Sequence, residues 1–269
     1  MMQFLYALLL PAAFLGVWQA LAVGLGKPAV LPRLEDIGLV LAHPAEMVLI
    51  SGSLVEGMLI SLLRVSLGFT LAALVAVPLG MLMGHSRIAN KLLDPTLELL
   101  RPIPPLAWVP LVLAWFGIRG LSDLIPALSG SVILSSIQFS ALAIIFIGAF
   151  FPILLSTVQG VRGIPVEYLE SARTMGADGF TLLRKVLFPA SMPAILTGLR
   201  IGLGVGWMCL VAAEMMPGSS AGIGYLIWYA YEMFRTDVVV AGIIVIGVIG
   251  FGMDRGFRRL ERALARQGG

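Results

Sequence analysis

The chain has 269 residues, of which 59% are hydrophobic and only 12% charged, and its mean hydropathy is +0.98. Because about a quarter of the residues in an ordinary soluble domain are charged, this composition excludes that class and predicts an all-α, polytopic membrane protein. Orientation in the bilayer explains the net charge of +3 better than a nucleic-acid partner does. The single cysteine, Cys209, lies in an apolar run and predicts neither a disulfide nor a metal site.

The first apolar stretch, Phe4 to Leu25, is long enough to cross about 30 Å of hydrocarbon. A signal peptide is the alternative. No basic segment precedes the stretch and no small-residue cleavage site follows it, so we favour a retained transmembrane helix. The connection that follows contains an amphipathic segment, Leu34 to Leu41, that suits a helix lying in the membrane interface. We expect residues 1–56 to form an N-terminal transmembrane helix and an extracytoplasmic connection.

The second predicted span runs from Met58 to Gly84 and contains Arg64. An arginine at that depth is costly unless it reaches the interface or faces water. Arg64 is therefore either an interface anchor or part of a polar pathway for substrate. We favour the anchor and keep the pathway as the alternative.

The third predicted span, Thr96 to Ile118, is rich in prolines near its start. Such a segment predicts a kinked or partly unwound backbone, which a membrane tolerates only where protein or water supplies hydrogen-bond partners. Pro104 and Trp108 are therefore candidates for the lining of a substrate pathway. A kink that serves only packing is the alternative.

Residues 119–143 lie between this span and the next and are also largely apolar. A continuous helix from Leu124 to Gly160 would be about 55 Å long, more than a bilayer needs, so we expect a break. We favour an extracytoplasmic helix or a re-entrant piece, broken near Gly130 or Ser140, that leads into the fourth span. The alternative is that its hydroxyl-rich part lines an enlarged cavity.

A polar stretch, residues 161–193, interrupts the apolar sequence after the fourth span. Pro165 predicts the start of a helix, and Gly176 predicts its end as a glycine with a positive φ angle. A second short helix, Gly179 to Leu187, is expected to be capped by Asp178.

The same stretch contains Pro189 and Pro193, which we expect to end the second helix. These features predict two helices and a turn outside the lipid. The alternative is an ordinary solvated loop that connects two membrane spans.

The fifth predicted span, from about Pro193 to Ala213, has glycines at 198, 202, 204 and 206 that favour close helix packing. Glu214 follows directly. A carboxylate at this depth is a candidate pathway residue, and a solvated glutamate at the interface is the alternative.

Five aromatic residues then cluster between positions 225 and 234, as is typical of an interface belt and secondarily of a docking surface. The sixth predicted span is Val238 to Phe251, extending through Met253, and a basic amphipathic tail ends the chain. Six crossings from a cytoplasmic N-terminus place most lysines and arginines on one side, in residues 85–101, 162–200 and 255–266. We therefore expect both termini and the polar stretch to be cytoplasmic.

The polar stretch contains a gapped pattern: Glu170, Ser171 and Ala172, then Gly176 after three residues, then Val186, Phe188 and Pro189 after nine more. This pattern resembles the E-A-A loop of ATP-binding-cassette (ABC) importer permeases. The stretches Ser61 to Gly84 and Ala212 to Ile227, and the proline-rich segment of the third span, resemble the nitrate, sulfonate and taurine branch of that family. The branch passes quickly from the third span to the fourth, so residues 119–143 are a departure.

The resemblance implies the type I importer permease (MetI-like) fold with about six transmembrane helices: a permease core at residues 57–256, a cytoplasmic coupling loop at 161–193 and a basic cytoplasmic tail at 257–269. It implies that the coupling loop contacts a cytoplasmic ABC ATPase. The residues expected to carry this contact are Glu167, Glu170, Ser171, Ala172, Gly176, Val186, Phe188 and Pro189.

The resemblance also implies a homodimer in the cell inner membrane, surrounded by lipid and fed by an extracytoplasmic substrate-binding protein. The substrate it implies is a small anion or a small polar solute, with a pathway that includes Arg64, Pro104, Trp108 and Glu214.

The sequence lacks the usual motifs for nucleotide hydrolysis and for catalytic metal binding. It has no G-x-x-x-x-G-K-[ST] phosphate loop and no H-E-x-x-H metal motif. We expect no catalytic residue, no metal and no cofactor in this chain, with ATP used by the partner ATPase. A secondary carrier or channel without an ATPase is the alternative function, although such carriers commonly show inverted repeats and paired intramembrane charges.

Overall fold

The computed structural model describes residues 2–49, 52–124, 136–216 and 218–265. Within these ranges the chain is almost entirely helical. The helices are α1 Met2–Leu25, α2 Leu34–Ala42, α3 Leu54–His85, α4 Arg87–Leu100, α5 Val109–Phe116, α6 Leu121–Leu124, α7 Phe139–Arg162, α8 Val166–Thr174, α9 Gly179–Leu182, α10 Phe188–Glu214, α11 Ile223–Glu232 and α12 Thr236–Ala265. A 3₁₀ turn, Pro105–Trp108, precedes α5, and a π-helical turn, Leu183–Leu187, joins α9 to α10.

Four helices of the described chain are long and apolar enough to cross a membrane: α3, α7, the continuous helix Gly179–Glu214, and α12. The bent pair α4 and Pro105–Phe116 makes a fifth if it counts as one span. Helix α1 has 24 residues, of which Leu9–Leu25 form a shorter apolar helix. These elements confirm the all-α polytopic fold.

The chain divides into two compact units. The first contains residues 1–60 and 214–248, and the second contains residues 61–213 and 249–269. The interfacial segment predicted in the first unit forms α2, whose Leu34 N–H donates to the side-chain oxygen of Gln19 at 2.9 Å. One face of α2 is buried in a cluster with α11 and the start of α12, through Ile37, Val40 and Leu226. Two short antiparallel strands, β1 Met47–Leu49 and β2 Gly52–Ser53, precede α3.

Helix α7 is the central helix of the second unit. Glycines of α3 lie against it: a Cβ added at Gly80 would come within 2.7 Å of Thr157 and 2.9 Å of the Leu154 carbonyl oxygen. Gly202 of α10 also lies against α7, where an added Cβ would come within 2.7 Å of Ile153. The two helices can therefore approach α7 at nearly backbone distance, which maximises their van der Waals contact.

The glycine face predicted for the fifth span is confirmed at Gly198, Gly202 and Gly206, which all approach α7. Gly204 is different, because a Cβ added there would meet nothing within 4 Å. Since α-helical residues two apart point about 200° away from each other, Gly204 lies on the opposite side of α10 from Gly202 and Gly206.

The proline-rich segment is broken, as predicted. Helix α4 ends at Leu100, and the helical stretch Pro105–Phe116 leaves it at an angle of 84°. The predicted start of this span at Thr96 is wrong, because Thr96 belongs to α4 and lies before the bend. The prolines at 102, 104 and 105 remove the N–H groups that a continuous helix would need there.

The prediction that Pro189 and Pro193 end the second loop helix is wrong. The helix that begins at Gly179 continues through both prolines to Glu214. The π-helical turn widens the backbone just before Pro189, and its last N–H, that of Phe188, bonds back to the Leu183 carbonyl. The hydroxyl of Ser191 donates to the Leu187 carbonyl at 2.7 Å. These adjustments satisfy backbone groups near the prolines, so the helix does not break.

The stretch 119–143 is described at its two ends. Gly120 and Gln138 form an antiparallel bridge, and the fourth span begins at Phe139, beside the break expected near Ser140. The break expected near Gly130 lies outside the described residues. Residues 257–265 of the basic tail continue α12 rather than forming a separate element.

Candidate functional site

The polar stretch folds as predicted at its first helix. Helix α8 follows Pro165 and ends at Thr174, and Gly176 has a φ of +81°. The Ala177 N–H donates to the Ala172 carbonyl and the Gly176 N–H to the Arg173 carbonyl, both at 2.9 Å. This pair of bonds is a Schellman motif, which turns the chain sharply out of the helix. The turn fixes the angle between α8 and α9.

The second helix differs from the prediction in its cap. Asp178 precedes α9 with an extended backbone, but its side chain makes no capping bond. The Asp178 backbone carbonyl accepts from Thr181 and Leu182 instead. The start of α9 is therefore held by backbone hydrogen bonds.

The loop is attached to the ends of two spanning helices by a small apolar core. Ala172, Leu182 and Leu187 of the loop are buried together with Met81 of α3 and Val161 of α7. The predicted coupling residues Val186 and Phe188 pack against the same core. This close packing fixes the loop to the ends of α3 and α7.

The outward side of the loop is both charged and apolar. Glu167, Glu170 and Ser171 are exposed on α8, as are Gly176 and Pro189 further along. Four large apolar side chains that the sequence analysis did not select share this exposure: Val166 61%, Tyr168 66%, Met175 83% and Phe180 71%. The sequence could have revealed them as large apolar residues that lie in a polar stretch without belonging to its buried core.

We call residues 166–180 the loop surface. The structure thus separates the eight predicted coupling residues by role. Ala172, Val186 and Phe188 hold the loop to the spanning helices, and Gly176 sets the turn between α8 and α9. Glu167, Glu170, Ser171 and Pro189 face outward. Exposed apolar groups beside charges are typical of a surface that binds another protein.

Arg64 is not exposed at the surface, as an interface anchor would be. Its side chain is fully buried, and both Nε and Nη2 donate to the carbonyl oxygen of Ser136, Nε at 3.1 Å. The favoured interpretation of Arg64 as an interface anchor is therefore wrong. The side chain instead ties α3 to the segment that leads into α7.

Glu214 is also buried, with 1% of its surface exposed, so its interpretation as a solvated glutamate is wrong. The backbone N–H of Gly224 donates to Oε2 at 3.0 Å. This N–H belongs to the first turn of α11, where the helix dipole favours a negative charge. Gly222, with a φ of +112°, leaves room for the carboxylate, because any Cβ there would collide with it.

The two remaining pathway candidates lie at the bend of the third span. Pro104 is exposed and precedes the 3₁₀ turn, and Trp108 packs against a cluster of Val109, Val112 and Ile144. Trp108 therefore has a packing role in this structure. Within the described residues, no group of three histidine, cysteine or acidic side chains is arranged to hold a metal ion.

Comparison with known proteins decides the family. Residues 76–266 match the model of the binding-protein-dependent transport system inner membrane component. The chain belongs to this family. It is an integral-membrane permease subunit of an ABC importer, a class in which the permease itself is not the catalytic subunit.

The permease is 52% identical to a putative ABC transporter permease of Methanocaldococcus jannaschii over 94% of this chain and 88% of that protein. It is 36% identical to the putative aliphatic sulfonates transport permease SsuC of Bacillus subtilis, over 96% of this chain and 86% of that protein. The fold matches the inward-facing MetNI methionine ABC transporter with a TM-score of 0.57 at 18% identity, covering 86% of this chain and 95% of that one. The sulfonate relative, together with the taurine permease TauC of Escherichia coli and the nitrate import permease NrtB of Synechocystis, each 36% identical over 94% and 93% of this chain, places it in the nitrate, sulfonate and taurine branch.

Proposed function

We propose that the permease works as a homodimer in the cell membrane and imports a small anion, such as a sulfonate, delivered by an extracytoplasmic binding protein. The loop surface docks on a separate cytoplasmic ATPase, so the loop lies in the cytoplasm. The lysines and arginines concentrated in residues 85–101, 162–200 and 255–266 support a cytoplasmic location for both chain termini as well. Support for the anion comes from the resemblance to the nitrate, sulfonate and taurine branch and from the sulfonate relative. Membership of the importer family favours this function over a carrier that uses no ATPase.

The observation that carries the proposal is the two-sided construction of the loop. Its inner side is locked to α3 and α7 through a buried core, and its outer side exposes Glu167, Glu170 and four large apolar side chains. An ATPase bound to the outer side would pull on the spanning helices directly. A desolvated contact between a glutamate and a cation of the partner would contribute about 1 to 3 kcal/mol.

The test uses two helices of equal length as a matched pair. Both α2 and α8 have nine residues, and Glu35 and Glu167 each occupy the second helical position. Replacing either by lysine removes the same favourable interaction with the helix dipole. We expect Glu167→Lys to lower copurification of the ATPase and to lower transport, and Glu35→Lys to leave ATPase copurification unchanged.

Glu170→Lys should act like Glu167→Lys, because both side chains are exposed on the loop surface. Substrate-stimulated ATP hydrolysis and transport should fall together, while the binding protein keeps its affinity for substrate. Retention of full ATPase binding by both loop variants, with changed substrate preference, would contradict the proposal.

A further inference from the structure

Three cations converge on one cavity at the ends of two spanning helices. Arg87 and Lys91 of α4 and Arg162 of α7 line a cavity of about 380 Å³, together with His85 and Asn90. Helix α3 ends at His85 and α7 ends at Arg162. The ends of spanning helices lie at the depth of lipid headgroups.

The positive charge of this cavity is not compensated within the described residues. No acidic side chain lines it, and none of the three cations has an ion pair in the described part of the chain. Arg87 and Lys91 also lie in the first turns of α4, where the helix dipole disfavours positive charge. A bound anion would relieve both the mutual repulsion and the unfavourable interaction with the dipole.

An apolar stripe runs along α4 beside the cavity. Ile88, Leu92 and Leu99 recur at the spacing of one helix face and are 74%, 72% and 76% exposed. The opposite side of α4 packs Leu93 and Leu97 on the core of α3 and α7, so this stripe is not needed for folding α4 onto the unit. A soluble anion would leave this apolar stripe exposed to water, whereas a lipid acyl chain would cover it.

We propose that this cavity binds the headgroup of an anionic phospholipid. The phosphate lies among Arg87, Lys91 and Arg162, and an acyl chain lies along Ile88, Leu92 and Leu99. Charge complementarity selects an anionic lipid over a zwitterionic one. The inference does not depend on the ATPase or on the transported substrate.

The test is native mass spectrometry of the whole permease in neutral detergent, with added phosphatidylglycerol or phosphatidylcholine. The triple variant Arg87→Gln/Lys91→Gln/Arg162→Gln is compared with Arg255→Gln/Arg259→Gln/Arg262→Gln, which removes the same charge from exposed positions of α12. We expect the cavity variant to lose retained phosphatidylglycerol by about tenfold or more, and the α12 variant to match the wild type. The single variant Lys91→Gln gives a milder loss of the same sign should the triple variant fold poorly.

Equal retention of phosphatidylglycerol by wild type and the cavity variant would overturn the proposal. So would complete displacement of the lipid by inorganic phosphate, which would assign the cavity to a soluble anion, or loss of ATPase binding in the cavity variant with lipid retention unchanged.

Discussion

The Glu214 carboxylate is buried against the first turn of α11. It fits there because Gly222, which lies next to it in space, has no side chain. Gly222 has a φ of +112° and leaves no space for a Cβ, and the Gly224 N–H binds the carboxylate. Gly222 therefore satisfies two separate requirements, a positive φ angle and the absence of a side chain. Arg64 shows the same principle, since its charged group is buried and hydrogen-bonded to the Ser136 carbonyl. Buried charges are tolerated here because backbone groups of the protein replace water.

Replacing Gly222 with alanine should destabilise the permease more than a change of backbone preference alone. The control is Gly26→Ala, because Gly26 also has a positive φ, of +58°, but has open space around it. We expect about 1 to 2 kcal/mol for Gly26→Ala and about 2 to 4 kcal/mol for Gly222→Ala, measured as unfolding free energy in detergent. Equal losses would mean that the carboxylate moves away without cost.

Gly176 tests the turn of the loop surface in isolation. Its surroundings are open, so a larger side chain meets no steric clash and acts only through the φ of +81°. Gly176→Val should cost about 1 kcal/mol or more and weaken ATPase copurification and transport, while membrane insertion stays normal. Asparagine tolerates this conformation better, so Gly176→Asn should retain most of the binding. Normal ATPase association and transport in the valine variant would remove the turn from the docking geometry.

At the scale of elements, helix α10 has a packed side and an open side. Gly202 lies against α7, whereas Gly204 lines a cavity of about 70 Å³ and has room for a Cβ. An alanine at each position adds one methyl group to the same helix, so the difference between the two variants isolates the contact with α7. We expect Gly202→Ala to lower thermal stability and abundance in the membrane, and Gly204→Ala to be close to wild type. Similar stability of the two variants would refute close packing between α7 and α10.

Several elements were predictable because one local rule decided them. Proline followed by an acidic first turn marked the start of α8, glycine marked its end, and consecutive prolines marked the bend before α5. Pro189 and Pro193 misled the prediction because their effect depends on the neighbouring backbone. The π-helical turn at Leu183–Leu187 and the Ser191 hydroxyl accommodate them, and neither feature has a clear sequence signal.

The candidate site was predictable to a similar extent. The spacing of Glu170 and Gly176 located the loop, but it did not separate residues that anchor the loop from those that face outward. That separation depends on which loop side chains contact Met81 of α3 and Val161 of α7. These contacts join parts of the chain that are distant in sequence. The burial of Arg64 and Glu214 likewise depends on backbone partners that composition and hydropathy do not reveal.

At the scale of the whole molecule, the small core under the loop surface joins that surface to the membrane-spanning helices α3 and α7, and ATPase docking is proposed for the loop surface. Aromatic side chains of α11, including Tyr231 at 61% exposure, form a different exposed surface. Its composition is typical of a membrane interface rather than of ATPase docking. We therefore expect the loop surface to contact a cytoplasmic partner and the α11 surface not to contact it.

Site-directed cross-linking tests the docking claim most directly. The chain has one cysteine, Cys209, and it is buried, so a cysteine introduced at the surface reacts selectively. Met175 and Phe180 are exposed on the loop surface, and Tyr231 is the control on α11. With a short thiol-to-amine cross-linker in intact membranes, Met175→Cys and Phe180→Cys should each join the permease to the ATPase, and Tyr231→Cys should not. A cross-link to the ATPase from Tyr231→Cys, with none from the loop variants, would contradict the account.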